Sequence, residues 1–267
     1  MEKKKSLGQH FLHSKHYLAK IADAAELAAG DLVLEVGPGE GALTRELLAR
    51  GATVVAVEKD RRLIPVLKEK FSKEIGEEKL HIVEGDILRF AIAKFDVSKD
   101  GPLGYKVAAN IPYYITGALL KKLLTGARQP MQMVLLLQKE VAERIACSKK
   151  ESILSLSVKA YGDPTYVCTV PRGAFAPPPA VDSAVLVIKN ISRAHFATAK
   201  QEERFFALVR AGFAKKRKLL ARNLEPMLGK NYSHILQNIG ISEKARAEDV
   251  HLEQWVRLSA IDLAGGD

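Results

Sequence analysis

The sequence predicts an α/β fold, a largely parallel sheet covered on both faces by helices, followed by a small all-helical domain. Three observations carry this. Short β-branched runs alternate with segments of helical period, the pattern of a sheet buried on both faces. The first such run leads directly into a glycine-rich turn. Beyond about residue 190 only helix-like periodicity remains.

Taken in order, residues 32–36, 53–57, 80–84, 106–109 and 131–137 read as strands, most of them rich in Val, Ile or Leu. Residues 43–50, 61–71 and 116–124 lie between them with helical spacing. Residues 165–170 and 183–189 are expected to close the sheet as an antiparallel pair. Residues 152–160 alternate like a strand, but they follow the helical stretch 139–146 and are read as helix. Helices are then expected over 202–213, 218–228, 232–239 and 252–263. The expected domains are 1–189, with an N-terminal arm over 1–20, and 190–267.

Composition narrows the function. The 267 residues are 47% hydrophobic, enough for a sizeable core, and carry a formal net charge of +10. The basic excess gathers at the two ends: Lys3, Lys4 and Lys5 open the chain, and residues 210–222 hold six basic residues and no acid. Such flanks attract polyanions, with nucleic acid the leading candidate. Lys215, Lys216, Arg217, Lys218 and Arg222 are the expected phosphate contacts. No apolar run approaches the ~20 residues that span a bilayer, and no apolar leader follows the basic start, so a cytoplasmic protein is expected. Cys147 and Cys168 lack metal-ligand spacing, and no metal is expected.

The turn after the first strand reads Glu35-Val36-Gly37-Pro38-Gly39-Glu40-Gly41. Gly37, Gly39 and Gly41 let a backbone turn sharply and approach a ligand closely. Glu58 ends the second strand, placed to hold the two hydroxyls of a ribose. Asp86 follows the third strand, placed to accept from an adenine amino group. All sit at the carboxyl ends of parallel strands, where open α/β sheets bind ligands. No P-loop lysine accompanies them, so the expected ligand is an adenosine without a phosphate chain.

Asn110-Ile111-Pro112-Tyr113 ends the fourth strand. The asparagine oxygen can accept from an exocyclic amine, the proline carbonyl is expected to carry no competing local N–H and is held by its fixed torsion, and the tyrosine offers a stacking face. Chemistry on the amino group of a nucleobase follows.

With these motifs, and with Ser6-Leu7-Gly8-Gln9-His10-Phe11-Leu12 and Phe175-Ala176-Pro177-Pro178-Pro179-Ala180-Val181-Asp182-Ser183, the chain resembles the rRNA adenine N6,N6-dimethyltransferases of KsgA/RsmA type. The resemblance implies a Rossmann-like, seven-stranded class I methyltransferase domain with a small helical domain, and S-adenosyl-L-methionine as cofactor. It implies cofactor contacts from His10, Leu12, Gly37, Glu58, Asp86 and Asn110, and a second stacking face from Phe175 opposite Tyr113. It further implies dimethylation of two adjacent adenosines near the 3′ end of small-subunit (16S) rRNA, on an immature 30S subunit, by a protein expected to act as a monomer. His10 departs from the family, where many members carry Asn. Two alternatives share the fold: an Erm-type enzyme acting on large-subunit rRNA, and a non-catalytic RNA-binding factor.

Overall fold

The computed structural model describes residues 10–92, 104–229 and 232–261. Its strands are β1 (Phe11–Leu12), β2 (Leu32–Val36), β3 (Thr53–Glu58), β4 (Leu80–Glu84), β5 (Lys106–Asn110), β6 (Gln132–Gln138), β7 (Asp163–Val170), β8 (Phe175–Ala176) and β9 (Ser183–Lys189). Seven of them form one sheet in the order β4-β3-β2-β5-β6-β9-β7. The first five are mutually parallel, while β9 runs antiparallel to both β6 and β7. The expected antiparallel closure is therefore present. It is not a tight hairpin: β8 lies on the connection and pairs with β1 of the N-terminal arm, Phe11 opposite Ala176 and Leu12 opposite Phe175.

The helices are α1 (Lys15–Ala24), α2 (Ala42–Ala49), α3 (Leu63–Lys70), α4 (Ser72–Gly76), α5 (Thr116–Thr125), α6 (Lys139–Ala146), α7 (Ile153–Lys159), α8 (Ala199–Gly212), α9 (Leu220–Leu228), α10 (Tyr232–Asn238) and α11 (Leu252–Ala260). The expected helix over 61–71 stops at Phe71, and a separate turn of helix follows it. Strand β2 is buried along its whole length, as are Val54 to Val57 of β3, because both faces of the sheet are covered. Ile21, Leu47 and Leu67 reach the same core from α1, α2 and α3.

Gly41 is an N-cap with φ of 79°, in the left-handed region. A Cβ there would come within 2.4 Å of the buried Phe71 ring. An L side chain at this position therefore meets both backbone strain and overpacking, together on the order of 2–4 kcal/mol.

The chain divides into two compact units. One comprises Met1–Ala142 and Asp163–Ile191, and the other Glu143–Gly162 and Ser192–Asp267. The helical unit thus takes 143–162 in addition to the C-terminal third. The reason is local to that unit: Tyr161 stacks on Phe206 at 6.0 Å and meets Phe196 edge-on at 5.8 Å. α7 itself begins at a reciprocal cap between Ser152 and Ser155, which favours helix over the strand that the alternation also allowed. Trp255, Phe205, Leu208 and Leu224 complete the core of the unit.

Candidate active site

The sheet order reverses between β2 and β5, so the carboxyl ends of these neighbouring strands frame a crevice. The glycine turn leaves β2 and Asn110 ends β5. Gly37 and Gly39 adopt φ of 67° and 60°, where an L side chain would be strained. A Cβ on Gly39 would also sit 2.7 Å from the Phe11 ring, so the turn is glycine because the arm packs on it.

Glu58 is 5% exposed and organises the turn. One carboxylate oxygen accepts the Gly39 N–H at 3.0 Å and the other the Asp60 N–H at 2.8 Å. Burial pushes its pKa up, and these two N–H groups oppose the rise. Its main-chain carbonyl accepts the Gly85 N–H at 2.8 Å, which fixes the start of the next strand-end loop. Asp86 in that loop accepts the Leu88 N–H at 2.9 Å and pairs with the Lys59 ammonium at 2.9 Å. The lysine holds the Asp86 carboxyl below the usual range.

Asn110 donates its side-chain N–H to the main-chain carbonyl of His10 at 2.9 Å. A carbonyl only accepts, so the amide nitrogen must face the arm and Oδ1 remains the acceptor. His10 Nδ1 lies 2.8 Å from the Pro177 carbonyl, which assigns the proton to Nδ1 by the same logic. Residues 113–115 form a 3₁₀ turn, within which the Pro112 carbonyl accepts the Ile115 N–H at 3.1 Å. Contrary to the expectation from the sequence, the proline carbonyl has a competing local donor, because the chain tightens into this turn, and one lone pair remains. Tyr113 is half-buried, its hydroxyl 2.9 Å from Ser183 Oγ and its ring 6.2 Å from the His10 ring at 26°. Burial pushes its phenol pKa up.

One pocket gathers His10, Gly37, Gly39, Glu58, Asp86, Asn110, Pro112, Tyr113 and Phe175, with apolar walls from Val36, Val57, Ile87 and Ile111. Phe175 is 3% exposed, so it forms wall rather than an open face. Leu12 lines an adjoining depression that also reaches Glu35 and Asn110. Gly41 lines neither; packing against Phe71 accounts for it. Phe11, Lys59 and Glu35 are site residues that sequence reasoning does not single out.

Lys215 to Lys218 are exposed on the loop between α8 and α9, not on a helix face. Asn223 donates from its side chain to the carbonyls of Gly212, at 2.6 Å, and Lys215, at 3.2 Å, and so shapes that loop. Arg222 is exposed, 3.5 Å from Glu225. Lys3, Lys4 and Lys5 lie outside the described residues. Among the described residues no cluster of His, Cys, Asp or Glu is arranged for a metal, and no helix is long and apolar enough to cross a membrane.

Sheet order, glycine turn and strand-end acids define a Rossmann-like class I methyltransferase, and solved structures bear this out. A dimethyladenosine transferase from Plasmodium falciparum aligns with a TM-score of 0.78 at 30% identity, covering 93% of this chain and 96% of that one. The 23S rRNA methyltransferase ErmE aligns at 0.74 and 29% identity, covering 93% and 98%. The chain belongs to the ribosomal RNA adenine dimethylase family, whose model matches residues 1–262. A ribosomal RNA small subunit methyltransferase A from Dehalococcoides mccartyi (strain CBDB1) is 43% identical over 269 residues, 99% of this chain and 90% of the relative.

Glu35 yields a pH prediction. It is wholly buried, and its pKa is pushed up to about 8, chiefly by desolvation and further by the nearby Glu58, against the hydrogen bond from Thr44. That bond is 2.7 Å long. From the ordinary carboxyl value of 4.5 up to about 8, the unfolded chain gives up this proton and the folded chain keeps it. Stability is therefore lost as pH rises through that window. Glu35→Gln, which can still accept from Thr44, is expected to flatten the slope; urea unfolding at a series of pH values checks it, and an unchanged slope would refute the assignment.

Proposed function

We propose that this protein transfers methyl groups from S-adenosyl-L-methionine to adenine N6 in small-subunit rRNA, dimethylating two adjacent adenosines near the 3′ end of 16S rRNA. It does so as a cytoplasmic monomer acting on immature 30S subunits. The observation that carries the reading is the Asn110 amide, turned by the His10 carbonyl so that Oδ1 is left as an acceptor in a pocket shared with Glu58.

The residues present fit the cofactor. A glycine turn without a P-loop lysine, a buried carboxylate at the second strand end and apolar walls suit an adenosine. Glu58 would hold the ribose. Asp86 would take the adenine amino group with the oxygen capacity that Lys59 and Leu88 leave. Gly37 and Gly39 let the backbone approach closely. When bound, S-adenosyl-L-methionine supplies an electrophilic methyl with a good leaving group, so no strong base is needed beforehand.

The protein's task is alignment. Asn110 Oδ1 accepts one N6–H, and the remaining lone pair of the Pro112 carbonyl accepts the other. Together they favour a pyramidal nitrogen and stabilise its developing positive charge, and the surplus N6 proton would then pass to water. Tyr113, held by Ser183, offers a face to the extruded base, and Phe175 supports the opposite wall. Stacking is worth about 1–3 kcal/mol per base, which offsets much of the unstacking cost. The Lys215–Lys218 loop and Arg222 grip phosphates without reading sequence.

The small subunit is favoured over the large because the small-subunit relative is 43% identical, against 29% for ErmE. Nucleoside mass spectrometry after incubation with immature small and large subunits tests the reading. N6,N6-dimethyladenosine is expected in the small-subunit RNA, and methylation confined to the large subunit would overturn it.

Asn110→Ala is expected to lower kcat by about 100- to 1000-fold while RNA affinity is kept. Near wild-type turnover would remove the asparagine from the chemistry. Reversing the charges at Lys215 to Lys218 is expected to weaken subunit binding and to reduce the slope of log K against log salt by about 0.7–0.9 for each phosphate no longer neutralised. A slope equal to that of the unaltered protein would take this loop out of the interface.

A further inference from the structure

We propose that Tyr114 is the platform on which the base next to the target adenosine stacks, with Lys59 and Arg89 meeting the phosphates that flank it. The inference rests on the proposed reading of adenine methylation in RNA and extends it to the neighbouring nucleotide.

Tyr113 and Tyr114 are consecutive residues of one 3₁₀ turn with opposite fates. Tyr113 is half-buried and tied by its hydroxyl to Ser183. Tyr114 is 62% exposed yet lines the same pocket. Among the described residues it is the most exposed of the large hydrophobic side chains. What sets this ring apart from a scattered surface residue is its place at the rim of the pocket, where an aromatic face with a polar tip suits a half-wet contact.

The charge beside it selects the partner. Lys59 also lines the pocket and is 54% exposed although it pairs with Asp86. Its ammonium lies within electrostatic reach of both the Tyr114 hydroxyl and the Arg89 guanidinium. Arg89 is exposed. Lys59 and Arg89 face Asp86, and the other carboxylate of the pocket, Glu58, is buried, so the exposed charge beside Tyr114 is chiefly cationic. An aromatic face flanked by cations is the arrangement that single-stranded nucleic acid uses, base on ring and phosphate on ammonium. An apolar protein surface would offer the two cations no counter-charge, and an acidic one would leave the open ring without a stacking partner. An adenosine extruded into the pocket draws the adjoining backbone to the pocket mouth, and the neighbouring base loses its stacking partner at that moment. Tyr114 replaces that partner.

The test compares wild type, Tyr114→Ala and Tyr114→Phe on an rRNA substrate, reading kcat, the KM for RNA, and cofactor affinity by calorimetry. Tyr114→Ala is expected to raise the RNA KM by about 5- to 100-fold while kcat and cofactor affinity stay as in wild type. Tyr114→Phe should restore the wild-type KM, since the ring and not the hydroxyl carries the contact. Substrates with an abasic residue on the 5′ or the 3′ side of the target complete the cycle. On one of the two, the alanine variant should lose nothing further relative to wild type. A KM unchanged in Tyr114→Ala, or a penalty undiminished on both abasic substrates, would overturn the proposal while methylation by wild type stands. If wild type methylates no rRNA adenine at all, the reading beneath it falls as well, so the two failures are separable.

Discussion

The Glu58 carboxylate is the constraint on which the site depends. A carboxylate taken out of water is expensive unless its oxygens are hydrogen-bonded. Here the compensation doubles as architecture. One oxygen fixes the glycine turn after β2, the other fixes the chain after β3, and the main-chain carbonyl of the same residue fixes the loop after β4. Three strand ends are thereby held by one residue. The glycine turn does not take its shape from its glycines alone; they permit the conformation that the buried acid stabilises.

The N-terminal arm supplies the second level of order. β1 adds only two residues to β8, a pairing too short to be stable in isolation. It persists because residues of the arm are also used elsewhere: Phe11 covers Gly39, the His10 carbonyl orients Asn110, and the His10 ring reaches the Pro177 carbonyl. The replacement of the family's frequent asparagine by His10 leaves the decisive contact untouched, since Asn110 is oriented by a backbone carbonyl that any residue provides.

What was legible in the sequence was what is local. The strand runs, the glycine turn and the Asn-Ile-Pro-Tyr segment are contiguous, and their placement at strand ends follows from counting. What was not legible was pairwise contact across the fold. Lys59 meets Asp86 only because β3 and β4 are neighbours, and the Pro112 carbonyl meets Ile115 only because the chain tightens into a 3₁₀ turn. The glycine pattern makes Gly41 a candidate ligand contact, whereas the Phe71 ring explains it by steric exclusion. The sequence around 152–160 identifies a helix, yet it is silent about which body that helix joins. Periodicity carries a helix back to Lys218, but α9 begins at Leu220, where the main-chain N–H reaches the Ala245 carbonyl.

The pairing of β1 with β8 has a consequence for how the molecule comes into being. Phe11 is joined to the chain long before its partner Ala176. Until then the turn at Gly39 lacks its cover and Asn110 has no carbonyl to turn its amide. The sheet core can form as its strands emerge, since domains generally fold as units during synthesis, but the pocket cannot. A nascent chain therefore holds the strands of the site well before it holds the site itself, and an arm made early is what a segment made late locks into place.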